Sequence, residues 1–202
     1  MPKRDDIYMG EQRTAIARAA LKVLLEKGVY ATSLRDICME AGISIGALYT
    51  HFANKSEAIT AACALDFVDM QNEPPARDWA AYVERWTRDV EDVRSPDKSR
   101  RMRVSLQFVA ELMMMDEDPE GLTSIYLTFR DGIRQSLSHL LERQEITLPL
   151  GLEQTTEIHM QLIAGAEYQV AADRTLERQT VIDALAAGLA ATAGLIEQPA
   201  VA

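Results

Sequence analysis

The stretch from Gly28 to Lys55, GVYATSLRDICMEAGISIGALYTHFANK, constrains the fold more than any other, because it carries the start and stop signals of two short helices and the start of a third. Thr32 and Ser33 stand where a helix begins, and either hydroxyl can accept a bond from an orphan backbone N–H. Leu34, Ile37 and Cys38, with Ala41 behind them, recur at helical spacing and define a core-facing side. Gly42 supplies the left-handed residue that ends this helix, and Ser44 caps the next within two positions. Two short helices joined by a Gly-containing turn make a helix-turn-helix, the unit that reads DNA. Asn54-Lys-Ser-Glu57 then spells an Asn-headed capping box, with Lys55 in the first turn of the helix that follows.

Apolar spacing of three and four recurs along the rest of the chain, and period-2 alternation is nearly absent. The expected fold is therefore all-α, with about nine helices. The first runs from about Gly10 to Lys27 and stops at Gly28; the second and third occupy roughly 33–41 and 44–51. A long fourth, about 55–72, carries Ile59, Cys63, Phe67 and Met70 on one side and is ended by Pro74-Pro75. Asp78 caps a fifth to about Arg94. Ser95-Pro96 and Asp118-Pro119, each a cap followed by proline at the first helical position, open a sixth to about Met115 and a seventh to about Arg143. The last two are expected at about 152–172 and 177–197, divided near Asp173. The domain division that follows is residues 1–53 as a DNA-binding head and 54–202 as an effector-binding and dimerisation domain.

Charge supports that division. The net charge is −10, yet residues 1–60 hold eight Lys/Arg against seven Asp/Glu, so the deficit lies beyond them. One end can approach a polyanion while the acidic remainder is repelled from it. Acidic surface also serves solubility. Lys3 and Arg4 are candidates for a flexible basic arm, although Asp5 and Asp6 offset them and a solvated tail fits equally. Cys38 and Cys63 fall on apolar helix faces, as buried thiols of a reducing compartment do. No apolar run approaches a membrane span, and MPKRDDIYMGEQR has no apolar core of a signal peptide, so a cytoplasmic location is expected.

The pattern Gly28, Thr32-Ser33, Ile37, Ala41-Gly42-Ile43-Ser44, Gly46, Leu48-Tyr49, His51-Phe52 and Lys55 resembles the DNA-binding domain of the tetracycline-repressor (TetR) family of one-component transcription regulators. The resemblance covers about residues 10 to 60. Cys38 departs from it, since small Ala is more usual there. By resemblance, Tyr49 and His51 lie at the DNA backbone, Lys55 pairs a phosphate, and Thr32 and Ser33 meet phosphate through a hydroxyl or backbone N–H. From the residues themselves, Leu48 and Phe52 point into the head's core. Ser44, Ile45, Gly46, Ala47, Tyr49 and Thr50 belong to the helix that meets base edges, Ile45 and Ala47 suiting thymine methyls.

The middle helices concentrate large soft side chains, and the candidate ligand-binding set is Trp79, Tyr82, Trp86, Met102, Phe108, Glu111, Met113, Tyr126, Phe129 and His159. Such stripes most often form a plain core. A separate helical body on a DNA-binding head favours a second reading, a cavity for a small apolar or aromatic effector. Gln107, Glu111, His159 and Glu167 are candidates to orient it, each of which taken alone fits a surface or structural role better. In the last two helices, Gly165, Gly188 and many alanines allow close helix contact, which closes the monomer core or, as the resemblance implies, joins two copies into a homodimer through about 152–197. No paired-His, C-x-x-C, G-x-S-x-G or Gly-rich phosphate motif is present, so neither an enzyme nor a cofactor or metal is expected. The expected function is a ligand-responsive repressor on a palindromic operator. The alternative is a helical protein-interaction adaptor with a degenerate head.

Overall fold

The computed structural model describes the backbone of residues 2–72, 74–113 and 120–195, and the side chains of 7–65, 74–110 and 126–195. Among the described residues the chain forms nine helices: α1 Pro2–Lys27, α2 Leu34–Ala41, α3 Ile45–Tyr49, α4 Lys55–Asn72, α5 Trp79–Asp92, α6 Pro96–Met113, α7 Glu120–Glu142, α8 Leu152–Ala172 and α9 Arg178–Ala193. An isolated antiparallel bridge pairs Ile146 with Leu195. The expected end of α6 near Met115 and the Asp118-Pro119 start signal of α7 lie outside the described residues.

Three helix ends differ from the sequence expectation. α1 begins at Pro2, not near Gly10, so the backbone at Lys3 and Arg4 is helical and not a flexible arm. Proline is pre-set for a first helical turn, and Asp5 and Asp6 suit the positive end of the helix dipole. α3 closes at Tyr49, because the Thr50 N–H turns back on the Ala47 carbonyl and the His51 N–H on that of Leu48 in a tighter final turn. α9 ends at Ala193, not 197, because Gly194 adopts φ +64 and the N–H groups of Thr147 and Leu148 take its terminal carbonyls.

Packing divides the chain into two compact units, one of residues 1–69 with 100–126 and one of 70–99 with 127–202. The core of the first unit gathers Ile16, Ala20 and Leu24 of α1, Ile37 and Cys38 of α2, Leu48 and Phe52 around α3, Ile59 and Cys63 of α4, and Val104 and Phe108 of α6. Cys38 and Cys63 are buried, as expected, and form no disulfide. In the second unit α5 packs on both α8 and α9, which pack on each other. Asp78 Oδ1 accepts the Ala81 N–H at 2.7 Å and Glu145 Oε2 accepts that of Trp79 at 2.7 Å, so the exposed first turn of α5 is satisfied from two sides. At the far end Arg94 donates to the carbonyls of Val170, Asp173 and Leu176 at 3.2, 2.8 and 3.0 Å, a cation on the negative end of α8.

Gly194 carries the turn that closes α9. A Cβ there would run into Thr147 Oγ1 and lie 2.7 Å from Pro149 Cδ, and the left-handed backbone penalises a side chain as well. Gly194→Ala is expected to destabilise the chain by about 1–3 kcal/mol. Urea unfolding of both proteins checks this.

Candidate nucleic-acid interface and aromatic cluster

The turn architecture of the head follows the sequence signals closely. Ser33 caps α2: its hydroxyl oxygen accepts the Asp36 N–H at 3.2 Å while Asp36 Oδ2 accepts the Ser33 N–H at 2.9 Å, a reciprocal capping box. Gly42 takes φ +66, and its N–H reaches back to the α2 carbonyls. Ser44 Oγ then accepts the Ala47 N–H at 3.1 Å to start α3. Asn54 Oδ1 accepts the Glu57 N–H at 2.8 Å at the start of α4, and Glu57 Oε2 reaches back to the Ala53 N–H at 2.6 Å.

This framework sorts the candidate DNA-contacting residues. Leu48 and Phe52 are buried, which turns the other side of α3 outward. Ile45 is 44% and Tyr49 53% exposed, large apolar surface that a lone head has no reason to show water. Ser44, Gly46 and Thr50 are exposed, and Ala47 and His51 are half-buried. The Thr50 hydroxyl donates to the Ala47 carbonyl at 2.7 Å, so it is occupied within its own helix. Ser33 is exposed, whereas Thr32 is buried and its hydroxyl donates to the Gly28 carbonyl at 2.7 Å. That inward turn follows from the helix end: the Gly28 carbonyl has no helical partner and the Thr32 hydroxyl lies four residues on. Lys55 is half-buried, its ammonium donating to the Val29 carbonyl at 3.1 Å.

Two residues of this site escaped the sequence reading. Arg13 of α1 stacks its guanidinium 4.2 Å over the Phe52 ring, donates to the His51 carbonyl and donates to Glu57 Oε1 at 2.7 Å. The Ala53 N–H, with the Arg13 guanidinium second, holds the Glu57 carboxyl below its usual range. The other is Gln107 of α6, whose candidacy for a ligand stood beside a structural reading; its Oε1 accepts the Val29 N–H at 2.9 Å, a partner no sequence signal named. A cation set among apolar residues of α1 was the available signal for Arg13, while for Gln107 no sequence signal names the partner.

The candidate ligand residues do not all come together. Trp79, Tyr82, Trp86, Phe129 and His159 form one cluster in the second unit. Trp79 stacks on Tyr82 with centroids 5.4 Å apart, and Trp86 meets Phe129 edge to face at 5.4 Å. Phe108 lies in the core of the first unit, and half-buried Met102 belongs to that unit too. Tyr126 is 50% exposed, and the side chains of Glu111 and Met113 lie outside the described residues. His159 is fully buried and uses both ring nitrogens. Nδ1 accepts from the Tyr82 hydroxyl at 2.7 Å, and Nε2 lies 2.9 Å from Thr192 Oγ1, which itself donates to the Gly188 carbonyl. Burial holds the imidazole down to about 4, so it is neutral at pH 7, and Thr192 completes a chain of donors from α5 through α8 to α9. Trp86, also buried, differs: its indole N–H makes no hydrogen bond of normal geometry among the described residues, although it acts weakly on the Tyr82 hydroxyl. Glu167, another candidate to orient a ligand, is half-buried, and burial pushes its carboxyl up to about 7.

Between α8 and α9 an open groove of about 740 Å³ is lined by Leu162, Gly165, Ala166, Tyr168, Val181 and Leu185 among others. The two helical glycines divide their roles here. A Cβ on Gly188 would meet Leu162 at 3.1 Å, so this glycine serves packing within the chain, while Gly165 has nothing within 4 Å.

A capped helix-turn-helix with an outward α3, carried with a separate helical unit, defines a DNA-binding transcriptional regulator. Residues 16–62 match the tetR family of bacterial regulatory proteins. The chain is similar to the HTH-type transcriptional regulator SrpR of Pseudomonas putida, 30% identical over 188 residues that cover 87% of this chain and 82% of SrpR. Its fold is similar to that of Salmonella enterica GusR (TM-score 0.68, 21% identity, 91% of this chain and 95% of that one). It is likewise similar to reduced E. coli NemR (TM-score 0.70, 13% identity, 92% and 100%). The chain belongs to the TetR family of transcriptional regulators. No helix among the described residues is long and apolar enough to cross a membrane.

The buried neutral His159 sets a pH dependence. Its folded pKa, about 4, is below the ordinary value of 6.5, so the unfolded chain binds the extra proton between those values. This contribution to stability is full above pH 6.5 and is lost as pH falls towards 4. Glu167 acts oppositely: with its carboxyl raised, its contribution is lost as pH rises towards 7. His159→Gln is expected to flatten the acid-side loss relative to the wild type. Melting temperatures of both proteins from pH 7.5 to 4.5 test this.

Proposed function

We propose that this chain is a repressor that binds a palindromic operator as a homodimer and is released by a small apolar or aromatic effector, working in the cytoplasm where operator DNA is found. Residues 1–53 form the DNA-reading domain, its core completed by α4 and α6, and 54–202 the effector-binding and dimerisation domain. The observation that carries the effector reading is Trp86, a buried indole N–H without a partner of normal hydrogen-bond geometry among the described residues, inside an aromatic cluster. An orphaned buried donor is costly, and a ligand acceptor would satisfy it. Trp79, Tyr82 and Phe129 supply flat apolar surface around it. Dimerisation through about 152–197 is supported by the apolar α8–α9 groove, by Tyr168 at 56% exposure beside it and by the open Gly165. A single head presents few base contacts, and a two-fold dimer reads two half-sites.

In the head, Ile45, Gly46, Ala47 and Tyr49 face the groove, with Thr50 at its edge. Ser33, Ser44, His51 and Lys55, with the Thr32 backbone, meet phosphates. α4, α6 and α7 each run from one unit into the other, so an effector in the second unit changes the spacing of the heads along continuous helices.

Footprinting on the operator is expected to show two symmetric protected halves centred about 34–36 Å apart. One asymmetric footprint from a monomer would refute the dimer reading. Calorimetry is expected to show that effector binding weakens operator binding by about 5- to 150-fold, and that operator weakens effector binding by the same factor. Trp86→Ala should lose effector affinity while keeping operator affinity without effector. An effector affinity that is the same in both proteins, with and without operator, would leave Trp86 as plain core.

A further inference from the structure

We infer that Gln107 of α6 is a positioning residue for the head's grip on the DNA backbone, acting through the Val29 peptide and Lys55. The inference rests on the proposed contact between Lys55 and a phosphate. The peptide groups around Val29 are held from opposite ends: Gln107 Oε1 accepts the Val29 N–H at 2.9 Å, and the Lys55 ammonium donates to the Val29 carbonyl at 3.1 Å. Neither bond belongs to a helix ladder. Val29 follows the C-terminal glycine of α1, where carbonyls and amides have left the regular pattern.

The site is built for the amide and admits nothing bulkier. Gly28 holds φ +82, and a Cβ on it would lie 2.9 Å from Gln107 Oε1, so glycine clears the space that the Gln107 side chain fills. The Val29 side chain is fully buried and anchors the peptide from a third direction. Val104 and Phe108, flanking Gln107 on α6, lie in the same core and fix the helix that presents it.

Lys55 carries three donors on one ammonium, and Val29 occupies one, leaving two for an anion. A lysine alone is a flexible point charge; seated on a fixed carbonyl it is held in one place. The same turn leads through Thr32, bonded to the Gly28 carbonyl, to Ser33 at the start of α2. Gln107 thus sets the position of a backbone carbonyl, the carbonyl seats the ammonium, and the ammonium meets the phosphate. In this reading a displacement of Gln107 alters the phosphate contact through the Val29 peptide.

The test uses the full-length protein and a fixed operator fragment, with Gln107→Met, Lys55→Ala and the double variant. Binding is measured across a salt series. Lys55→Ala is expected to reduce the slope of log affinity against log salt by about 1.8, the loss of one phosphate contact from each of the two protomers. Gln107→Met is expected to reduce the slope similarly while relative affinities for substituted operators stay unchanged. The double variant should match Lys55→Ala, because Gln107 acts through that lysine. A full slope for Gln107→Met, or additive losses in the double variant, overturns this inference alone. A full slope for Lys55→Ala, or a wild type that binds no operator, overturns the reading of the head and this inference with it. Hydrogen exchange covers a Gln107→Met protein that fails to fold. In the wild type the Val29 amide must exchange far more slowly than that of exposed Tyr30, and equal rates overturn the inference.

Discussion

The head depends on one cation placed among apolar side chains. Arg13 rises from α1, holds its guanidinium carbon over the Phe52 ring, and bonds the carbonyl that ends the α3 segment and the carboxylate that opens α4. A planar guanidinium can do all three at once; lysine offers neither the flat face nor the fork. Because Glu57 also receives the Ala53 N–H, the chain between α3 and α4 is held at both ends by a single linked set of bonds. The direction in which α3 presents Ile45 and Tyr49 follows from that lock together with burial of Leu48. A five-residue helix has no stability of its own, so its orientation is wholly a property of what surrounds it.

The second unit uses a different device. Its centre is a line of neutral hydrogen bonds, Tyr82 to His159 to Thr192, inside an aromatic wall. Burial disfavours both the tyrosinate and the imidazolium, so the line carries no charge and every donor in it finds an acceptor. Thr192 ends it on the carbonyls of Gly188 and Leu189, the helix on which it sits. Trp86 beside this line makes no bond of normal geometry among the described residues. One cluster thus combines satisfied polar groups that fix three helices with an unsatisfied one.

α6 is the element whose role changes most between sequence and structure. Its apolar stripe looks like one wall of a single core. Yet Val104 and Phe108 complete the core of the head, and Gln107 between them bonds the turn after α1. Phe108 therefore belongs to the core of the first unit and Trp86 to the second, although both are of the same class of large soft side chains in the sequence.

The sequence by itself determined where most helices begin and end, because those signals are local. Ser33, Gly42, Ser44, Asn54 and Asp78 each act on backbone groups within four residues, and every one does in the structure what its type allows. The outward set on α3 was legible for the same reason, since helical spacing places Leu48 and Phe52 inward and leaves Ile45 and Tyr49 outside. Where local signals were shared or weak, tertiary contacts decided. Thr32 and Ser33 are equivalent caps by type, but only Ser33 is outside, because the Gly28 carbonyl claims the Thr32 hydroxyl. α9 stops at Gly194 because Thr147 and Leu148, some 45 residues away in the chain, take its carbonyls. The partners of Arg13, Gln107 and His159 stand 33 to 78 residues away in sequence, at distances no periodicity encodes. A hydrogen bond needs two groups within about 3 Å, and for distant residues only the folded chain brings them there.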